Sequence, residues 1–363
     1  MYSLKPNIYY YHPLILTFKT SQTLQVVRDY FYLSQLGYRV LLYGRHPDET
    51  EIDKVKSYLR ESNVTIQFSL ILFFIKLLLD KNPIVITRHY RKLERLLLFK
   101  KIFKSNLLII HEMHEECLPY LFKKHLSKEK IHKLFNSLNG MIFTNFSQVI
   151  LYKDEFRNKP PLYSVLPNGV EIEKFSNAKK GNKHVLSYIG SFNKWKNVEL
   201  IFAALALLDK KYTLRIAGGN SYKESKVFIN NMLRRYSINP NRVSYLGYVD
   251  NKEIVNKVID GSSVLLLPLG DNIQSKFLTS PMKLFEYMAT SIPVVTVDYP
   301  SVNLIKEKGI FYSANNPSDF ALQIVKADQY NSNLELKNRI KLAEKYSYKN
   351  RTVKFESFIN QIK

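Results

Sequence analysis

Short apolar runs that are typical of buried strands alternate along this sequence with segments of helical periodicity. Alternation of this kind predicts parallel strands with helices on both faces of the sheet. Gly37 directly follows the first helical segment, where glycine often ends a helix. In the first half the pattern predicts the strands Asn7–Tyr11, Tyr38–Tyr43, Ile84–Thr87 and Leu107–His111, and the helices Gln22–Leu36, Glu51–Leu59 and Phe68–Asp80.

The alternation restarts after Pro160 and Pro161. A length of 363 residues predicts two or three domains at roughly 150 residues each. We expect two Rossmann-like α/β domains, residues 1–165 and 166–345, with parallel sheets facing across a ligand crevice. Residues 346–363 are expected to form a helix that crosses back to the first domain. The second half contains the predicted strands His184–Ile189, Thr213–Ala217, Val243–Leu246, Val264–Leu267 and Pro293–Val297, and the helices Asn197–Leu208, Glu224–Tyr236 and Pro281–Thr290.

Basic residues far outnumber acidic ones. The 54 Lys and Arg against 31 Asp and Glu give a net charge of +23, which favours an anionic partner: nucleic acid, acidic lipid or a phosphorylated substrate. The first 165 residues carry +11 and the remainder +12, so a general compositional bias is an equally good explanation. Hydrophobic residues make up 45% and charged residues 23%, which excludes a disordered or collagen-like chain.

Cysteine content and hydropathy bear on the compartment. Cys117 is the only cysteine, which excludes an intrachain disulfide and a cysteine-based metal cage. The start, Met1–Pro6, lacks the apolar core of a secretory signal. The most apolar stretch, Phe68–Leu79, contains Lys76 and is shorter than the ~20 residues that span a bilayer. We expect a cytoplasmic protein, either dissolved or peripheral on the inner face of the cell membrane.

One candidate phosphate site is a strand that ends in glycine and leads through a polar loop into a helix. It comprises Gly190, Ser191 and Lys196, with Asn197 as the expected helix N-cap. A helix N-terminus presents unpaired N–H groups and partial positive charge, which favour phosphate. Lys196 adds a full cation there, although ordinary loop lysines in a lysine-rich protein are the alternative interpretation.

A second candidate is the segment Ser280–Ala289. Ser280 as N-cap and Pro281 as first helical residue predict a helix start. Lys283 then falls in the first turn, where the helix dipole disfavours a cation by ~0.3–1 kcal/mol, and a bound anion explains that placement. Glu286 shares its face and could accept from two adjacent sugar hydroxyls while Lys283 holds phosphate; an i, i+3 surface ion pair is the alternative.

Two histidines and two glutamates follow a predicted strand in His111–Glu115. No other histidine cluster exists to complete a metal site, so we expect no metal. A polar role for His114 at the carboxyl end of a strand is favoured instead. The sequence also lacks a G-x-G-x-x-G fingerprint, a Walker loop, a G-x-S-x-G elbow and an Asp-x-Asp pair.

Together these segments resemble the family 4 retaining glycosyltransferases of GT-B fold, most closely over residues 166–304. Ser280–Tyr287 matches a subset of that family with the pattern Ser-Pro-x-Lys-x-x-Glu-Tyr, and the first domain matches mainly at Glu112-Met113-His114. Further motifs in the matching order are Leu166-Pro167-Asn168-Gly169-Val170 with Phe175, Arg215-Ile216-Ala217-Gly218-Gly219, Leu246-Gly247-Tyr248-Val249 and Pro293-Val294-Val295.

The resemblance implies a hexosyltransferase that moves a sugar, with retention, from a nucleotide-diphosphate sugar to a glycan or lipid-linked acceptor. It implies neither cofactor nor metal, and a place in cell-surface polysaccharide, lipopolysaccharide or glycolipid synthesis. Lys196 would hold the diphosphate, Glu286 the ribose hydroxyls, and His114 would be the catalytic residue near the transferred sugar. The donor-binding residues that it implies are Gly190, Ser191, Lys196, Gly219, Tyr248, Val249, Ser280, Met282, Lys283 and Glu286.

Two positions depart from the family pattern. Leu278 stands where many members have the first of two glutamates, and Ser191 stands where a basic residue is usual. Lys283 could replace part of the lost charge. The motifs therefore predict a donor class and leave the sugar, the acceptor and the linkage open.

A basic amphipathic segment, residues 88–104, favours contact with an anionic membrane or with the acceptor. A partly buried helix with a solvated basic side is the alternative. A non-enzymatic nucleic-acid-binding protein would need a concentrated basic stripe, which the even charge disfavours. A nucleotide-sugar epimerase of GT-B fold shares the strand pattern, but Ser280–Glu286 favours transfer. The expected membrane or acceptor face is Arg88, Arg91, Lys92 and Arg95.

Overall fold

Parallel strands alternate with helices through both halves of the chain, which confirms the predicted α/β class with two parallel-sheet domains. The chain divides into two compact units, residues 1–169 with 348–363, and residues 170–347. The computed structural model describes residues 5–88, 90–114, 127–156 and 162–363. The predictions above that involve Met1–Leu4, Glu115, Cys117 and Pro160–Pro161 lie outside these ranges.

The described part of the first unit contains a seven-stranded parallel sheet in the order β3-β2-β1-β4-β5-β6-β7. Chain order runs outwards in both directions from the boundary between β1 and β4, the arrangement of a doubly wound sheet. The strands are β1 (Ile8–Ile15), β2 (Val40–Arg45), β3 (Val64–Gln67), β4 (Ile84–Thr87), β5 (Leu108–Met113), β6 (Gly140–Phe143) and β7 (Tyr163–Val165). The helices are Ser21–Gln35, Glu49–Leu59, Leu70–Leu79, Tyr90–Phe103, Lys128–Asn136, Phe146–Phe156 and Tyr348–Ile362.

Apolar runs and helix caps account for these elements. All four residues of β4 are buried, as expected of a strand that helices cover on both faces. Thr20 caps the first helix by accepting from the Thr23 N–H, and Gly37 beyond its end has φ +90°, which confirms the predicted glycine stop.

The last helix, Tyr348–Ile362, packs in the core of the first unit. Phe355, Phe358 and Ile359 are buried there. A Cβ on Gly140, at the start of β6, would lie 2.6 Å from the Ile362 side chain and 2.9 Å from the Phe358 ring. The absent side chain therefore allows the helix to approach the sheet at this point.

The described second unit contains a six-stranded parallel sheet in the order β10-β9-β8-β11-β12-β13, which turns between β8 and β11. The strands are β8 (Val185–Gly190), β9 (Thr213–Gly218), β10 (Val243–Tyr245), β11 (Val264–Leu267), β12 (Val294–Val297) and β13 (Ile310–Ser313). The helices of at least seven residues are Val198–Leu207, Tyr222–Arg235, Met282–Met288, Pro317–Gln329 and Asn333–Ala343.

Two local predictions need correction. The helix expected from Pro281 begins at Met282, and Pro281 takes the N-cap position with an extended ψ of 113°; Ser280 therefore lies one residue outside. Asn197 does occupy the N-cap of its helix, but in the left-handed region and without a side-chain cap bond. Within the described ranges, no helix is both long and apolar enough to cross a bilayer.

Candidate active site

The order of the second sheet reverses between β8 and β11, and ligands of doubly wound sheets bind beyond the carboxyl ends of the strands at such a point. The loops that follow these two strands are hydrogen-bonded to each other. The Trp195 carbonyl, in the loop after β8, accepts from the Gly270 N–H and from the Ser275 hydroxyl, each at 2.8 Å. Two hydrogen bonds to the Trp195 carbonyl therefore hold these two loops together at the point where the strand order reverses.

Glycines bring the backbones of neighbouring loops into contact at this edge of the sheet. The Gly219 N–H donates to Gly190 O at 2.9 Å, and the Gly218 N–H donates to Gly247 O at 2.7 Å. Gly218 and Gly219 have φ of +105° and +97°, and a Cβ on Gly218 would lie 2.4 Å from Gly190 O. Gly190 and Gly219, two predicted donor-binding residues, are thereby held together.

Lys196 ends a 3₁₀ turn, Lys194–Lys196, immediately before the helix Val198–Leu207. Its ammonium lies 3.9 Å from the centroid of the Trp195 ring, a cation–π contact. The Asn197 side chain donates to Asn315 Oδ1 at 3.0 Å instead of capping the helix. Lys196 therefore places positive charge at the start of a helix beside the switch point.

Lys283 and Glu286 form an ion pair on the helix Met282–Met288. The Lys283 ammonium donates to Glu286 Oε2 at 2.5 Å, and the two side chains are 22% and 4% exposed. The surface pair considered as the alternative interpretation thus forms with its carboxylate buried, so both residues remain candidates for ligand contact. Leu278, in place of the family's first glutamate, is 1% exposed and leaves no carboxylate at that position.

Beside Gly247 lies an open concavity whose lining includes two predicted residues. Tyr248 is 62% exposed, whereas Val249 packs partly against the core of the unit. The residues that line the concavity are Leu246, Tyr248, Val249, Glu253 and Lys257.

Ser191, which directly follows β8, is half-buried, and its carbonyl accepts from the Tyr188 hydroxyl at 2.8 Å.

The first unit holds a separate, buried cluster of charges at the carboxyl ends of β4 and β5. Arg88 Nε donates to Glu112 Oε2 at 2.9 Å, and Arg351 from the last helix donates to Glu112 Oε1 at 2.8 Å. Arg351 also lies 3.0 Å from Asp29. His114 Nε2 lies 3.4 Å from Glu112 Oε1. We name these five residues the Glu112 cluster.

Burial and neighbouring charges set the protonation of the Glu112 cluster. Burial alone would raise the pKa of Glu112, but the charges of Arg88 and Arg351 and the neighbouring His114 hold it well below its usual value. Burial, reinforced by Arg88, lowers the pKa of His114 to about 4. Burial raises the pKa of Asp29 to about 7 against the opposing effect of Arg351. His114 is therefore a neutral imidazole at neutral pH, beside a charged Glu112.

Among the residues of the Glu112 cluster, His114 was predicted as a site residue, Arg88 was assigned to the membrane or acceptor face, and Glu112, Asp29 and Arg351 were given no role. Arg88 directly follows β4 and Glu112 lies near the carboxyl end of the neighbouring β5, and that adjacency was a usable signal. Asp29 and Arg351 gave none, because they come from helices distant in sequence. The backbone of His114 is held as well, since Gln148 Nε2 donates to its carbonyl at 2.6 Å.

The predicted membrane or acceptor face is not one surface. Arg88 is 7% exposed and binds Glu112, so it is not part of an exposed face for lipid; its contact with an acceptor stays a prediction. Lys92 is half-buried and Arg95 is exposed on the helix Tyr90–Phe103; the surroundings of the Arg91 side chain lie outside the description.

His111, the other histidine of its motif, is 2% exposed and its ring lies over that of Phe135 at 5.8 Å. In the part of the chain that the structure describes, no three His, Cys, Asp or Glu side chains are grouped as potential metal ligands.

Comparisons with known proteins give one family match and many structures of similar fold. Residues 183–328 match the model of the family described as glycosyl transferases group 1, whereas no curated protein matches the chain. The matched segment begins just before β8 and contains the switch point, Lys196, Lys283 and Glu286.

Solved structures share the whole fold at low sequence identity. HepE from Anabaena, in complex with UDP and glucose, superposes with a TM-score of 0.72 at 13% identity over 98% of this chain and 100% of its own. The sucrose-phosphate synthase of Thermosynechococcus elongatus gives 0.72 at 14% identity over 99% of each chain. The lipopolysaccharide outer core galactosyltransferase WaaB gives 0.70 at 19% identity over 98% and 99%. By sequence, residues 183–328 thus match the group 1 glycosyltransferase family model, and the chain has the α/β fold of the GT-B glycosyltransferases.

Proposed function

We propose that this protein is a retaining glycosyltransferase that transfers a hexosyl group from a nucleotide-diphosphate sugar to a glycan or lipid-linked acceptor without a metal ion. One observation carries the proposal: the segment that matches the group 1 family contains both the glycine-framed switch point and the Lys283–Glu286 pair with its buried carboxylate. Cations and backbone N–H groups can bind a diphosphate, and a carboxylate can accept hydrogen bonds from the hydroxyls of a ribose.

The donor binds in the second unit in this proposal. Lys196 and Lys283 neutralise the diphosphate, and Glu286 accepts from the ribose hydroxyls once the lysine turns to phosphate. The concavity beside Tyr248 receives the base. UDP is the first nucleotide to test, because the similar HepE structures contain UDP or UDP-glucose.

The reaction breaks the bond between the anomeric carbon and the diphosphate oxygen. Lysine ammonium groups stabilise the negative charge that develops on the leaving diphosphate, the role that a divalent cation has in other enzymes. The acceptor hydroxyl bonds to the same face of the sugar, and its proton passes to the departing phosphate oxygen. The anomeric configuration is thereby retained.

His114 of the first unit is the residue that we propose to hydrogen-bond sugar hydroxyls. Because burial and Arg88 lower its pKa to about 4, the imidazole is neutral and can exchange hydrogen bonds with sugar hydroxyls without adding charge. The Glu112 carboxylate lies 3.4 Å from Nε2, which favours the tautomer with its proton on Nε2 and leaves Nδ1 as the acceptor. We propose lipopolysaccharide, another cell-surface polysaccharide or a glycolipid as the product class, made at the cytoplasmic face of the membrane.

Isothermal titration of the full chain with UDP-, GDP- and ADP-sugars tests this proposal and identifies the donor. Lys196→Ala and Glu286→Ala should each lose most donor affinity while folding normally. Lys210→Ala, an exposed lysine that precedes β9 at the opposite edge of the sheet, should bind as the unsubstituted protein does. Unchanged affinity in both site variants would overturn the assignment of the site.

A further inference from the structure

The helix Leu70–Leu79 is apolar on two opposite sides. Phe73 and Leu77 are fully buried against the sheet. On the other side Ile71 is 73% exposed and Leu79 is 77% exposed. A helix that is hydrophobic all round is normally buried all round, so the outer side of this helix requires an explanation. Its exposed apolar residues are Ile71, Leu72, Ile75, Leu78 and Leu79.

The neighbouring helix, Tyr90–Phe103, extends this surface. The rings of Phe74 and Phe99 are 5.0 Å apart, and the Lys104 ammonium donates to Leu78 O at 3.1 Å, so the two helices lie side by side with their carboxyl ends together. The second helix adds the exposed side chains of Leu98, Ile102 and Phe103, at 58%, 58% and 60%. We name these eight apolar residues the apolar ridge.

Basic side chains surround the apolar ridge. Its acidic neighbours already have partners: Asp80 accepts from Asn7 and from the Tyr9 hydroxyl, and Glu94 pairs with Lys130 at 2.7 Å. The ridge therefore has a positive rim. The rim residues are Lys76, Lys81, Arg95, Lys101 and Lys104, all exposed except the half-buried Lys104.

We propose that the apolar ridge and its basic rim dock this protein on the surface of an anionic lipid bilayer. Aliphatic side chains enter the boundary between headgroups and acyl chains, and the lysines and Arg95 contact lipid phosphates, the pattern by which amphipathic surfaces bind membranes. An anionic bilayer has both an apolar interior, which suits the apolar ridge, and an anionic surface, which suits the basic rim.

Charge argues against the other occupants. A two-fold contact between two copies would place one lysine rim against the other, and like charges across an interface are unfavourable. Nucleic acid would satisfy the rim but would leave eight exposed apolar side chains against a phosphate backbone. The surface differs from the face predicted from the sequence: it excludes the buried Arg88 and centres on Leu70–Leu79.

This proposal deepens the proposed function, because a lipid-linked acceptor would be met at that surface. Flotation of the full chain with phosphatidylglycerol-containing vesicles, compared with phosphatidylcholine alone, tests it. Binding to the anionic vesicles is expected, and Ile71→Ser with Leu79→Ser should weaken it by about tenfold or more, because two aliphatic side chains lose their burial. Lys76→Glu with Lys101→Glu should weaken it as well. Leu322→Ser with Leu334→Ser, exposed leucines of the second unit, is the matched control and should float unchanged.

Absence of vesicle binding, or equal binding by the Ile71/Leu79 variant, overturns the proposal. Concentration-dependent dimerisation that the same variant abolishes, without vesicle binding, would assign the ridge to a second copy. Titration of each variant with the nucleotide-sugar panel separates the two proposals. The ridge variants should keep their affinity for the donor. If the unsubstituted protein binds vesicles but none of the nucleotide sugars, only the proposed function is contradicted.

Discussion

Arg351 and Glu112 stand 239 positions apart in the sequence, and Arg351 Nη2 donates to Glu112 Oε1 at 2.8 Å. The same guanidinium lies 3.0 Å from Asp29, and its Nε donates to Pro167 O at 2.9 Å. One side chain of the last helix thus joins three other segments of the first unit. Glu112 in turn faces His114, so the helix stabilises the surroundings of the candidate catalytic residue.

Substitution of Arg351 by Met should destabilise the first unit strongly. Removal of one partner from a buried ion pair leaves uncompensated charge and costs about 3–5 kcal/mol. Without Arg351, Arg88 is the cation of the Glu112 cluster that is left to face both Asp29 and Glu112. Urea unfolding followed by circular dichroism measures the loss. Lys354→Met, an exposed position on the same helix, should change the free energy of unfolding by less than about 0.5 kcal/mol. Equal effects in the two variants would contradict the assigned role of Arg351.

Asp29 and His114 should give opposite pH dependences of stability. The folded pKa of His114 is lowered to about 4, so the unfolded state binds more protons between about pH 4 and 6.5, and this stabilising contribution is lost as the pH falls. The folded pKa of Asp29 is raised to about 7, so the folded state binds more protons between about pH 4 and 7, and this contribution grows as the pH falls.

Two variants separate these contributions. Relative to the unsubstituted protein, His114→Asn should gain stability on acidification from pH 6.5 to 4, and Asp29→Asn should lose it from pH 7 to 4. Each slope is at most about 1.4 kcal/mol per pH unit. Urea unfolding across this range measures both differences. Slopes of the same sign in the two variants would contradict the opposed shifts.

Gly218→Ala should destabilise the second unit and weaken donor binding. An alanine there meets a strained φ of +105° and places its Cβ 2.4 Å from Gly190 O. Gly261 is a matched control, because its φ is +73° but no atom lies within 4 Å of its Cβ position. Gly261→Ala should cost only the left-handed penalty, about 1–2 kcal/mol. Thermal unfolding should show a clearly larger loss for Gly218→Ala; equal losses would mean that the close approach contributes nothing.

The cations and the carboxylate of the proposed donor site should discriminate between ligands. Lys196→Ala and Lys283→Met should weaken UDP binding by tenfold or more while changing uridine binding little, because hydrogen bonds to charged groups contribute about 1.5–3 kcal/mol. Glu286→Ala should weaken both ligands, because both contain the ribose. Isothermal titration of the three variants and the unsubstituted protein with UDP and with uridine measures these affinities. If the lysine variants lose uridine and UDP equally, the lysines do not hold the diphosphate.

Local pattern was sufficient for the strands whose residues are apolar throughout. Ile84–Thr87 and Val264–Leu267 have the predicted bounds, because a run with buried side chains on both faces needs no distant information. The strands β6 and β7 were missed, because β6 begins with glycine, which is depleted in strands, and β7 is not a continuous apolar run. The fold class followed from the alternation of elements, and this order also placed Gly190 and Gly218 at carboxyl ends of strands.

Side-chain environments depended on tertiary packing. Arg88 belongs to a basic stretch of sequence, yet the end of β4 buries it against Glu112; Ile71 belongs to an apolar run, yet its side of the helix faces away from the sheet. By itself the sequence determined the α/β alternation, the glycine turns and the residue types available for phosphate and ribose. Only the tertiary structure decided which charges are buried together and which apolar side chains are exposed. Contacts such as that of Arg351 with Glu112 join segments far apart in sequence, and the helical and strand periodicities of each segment do not indicate which distant segment it will contact.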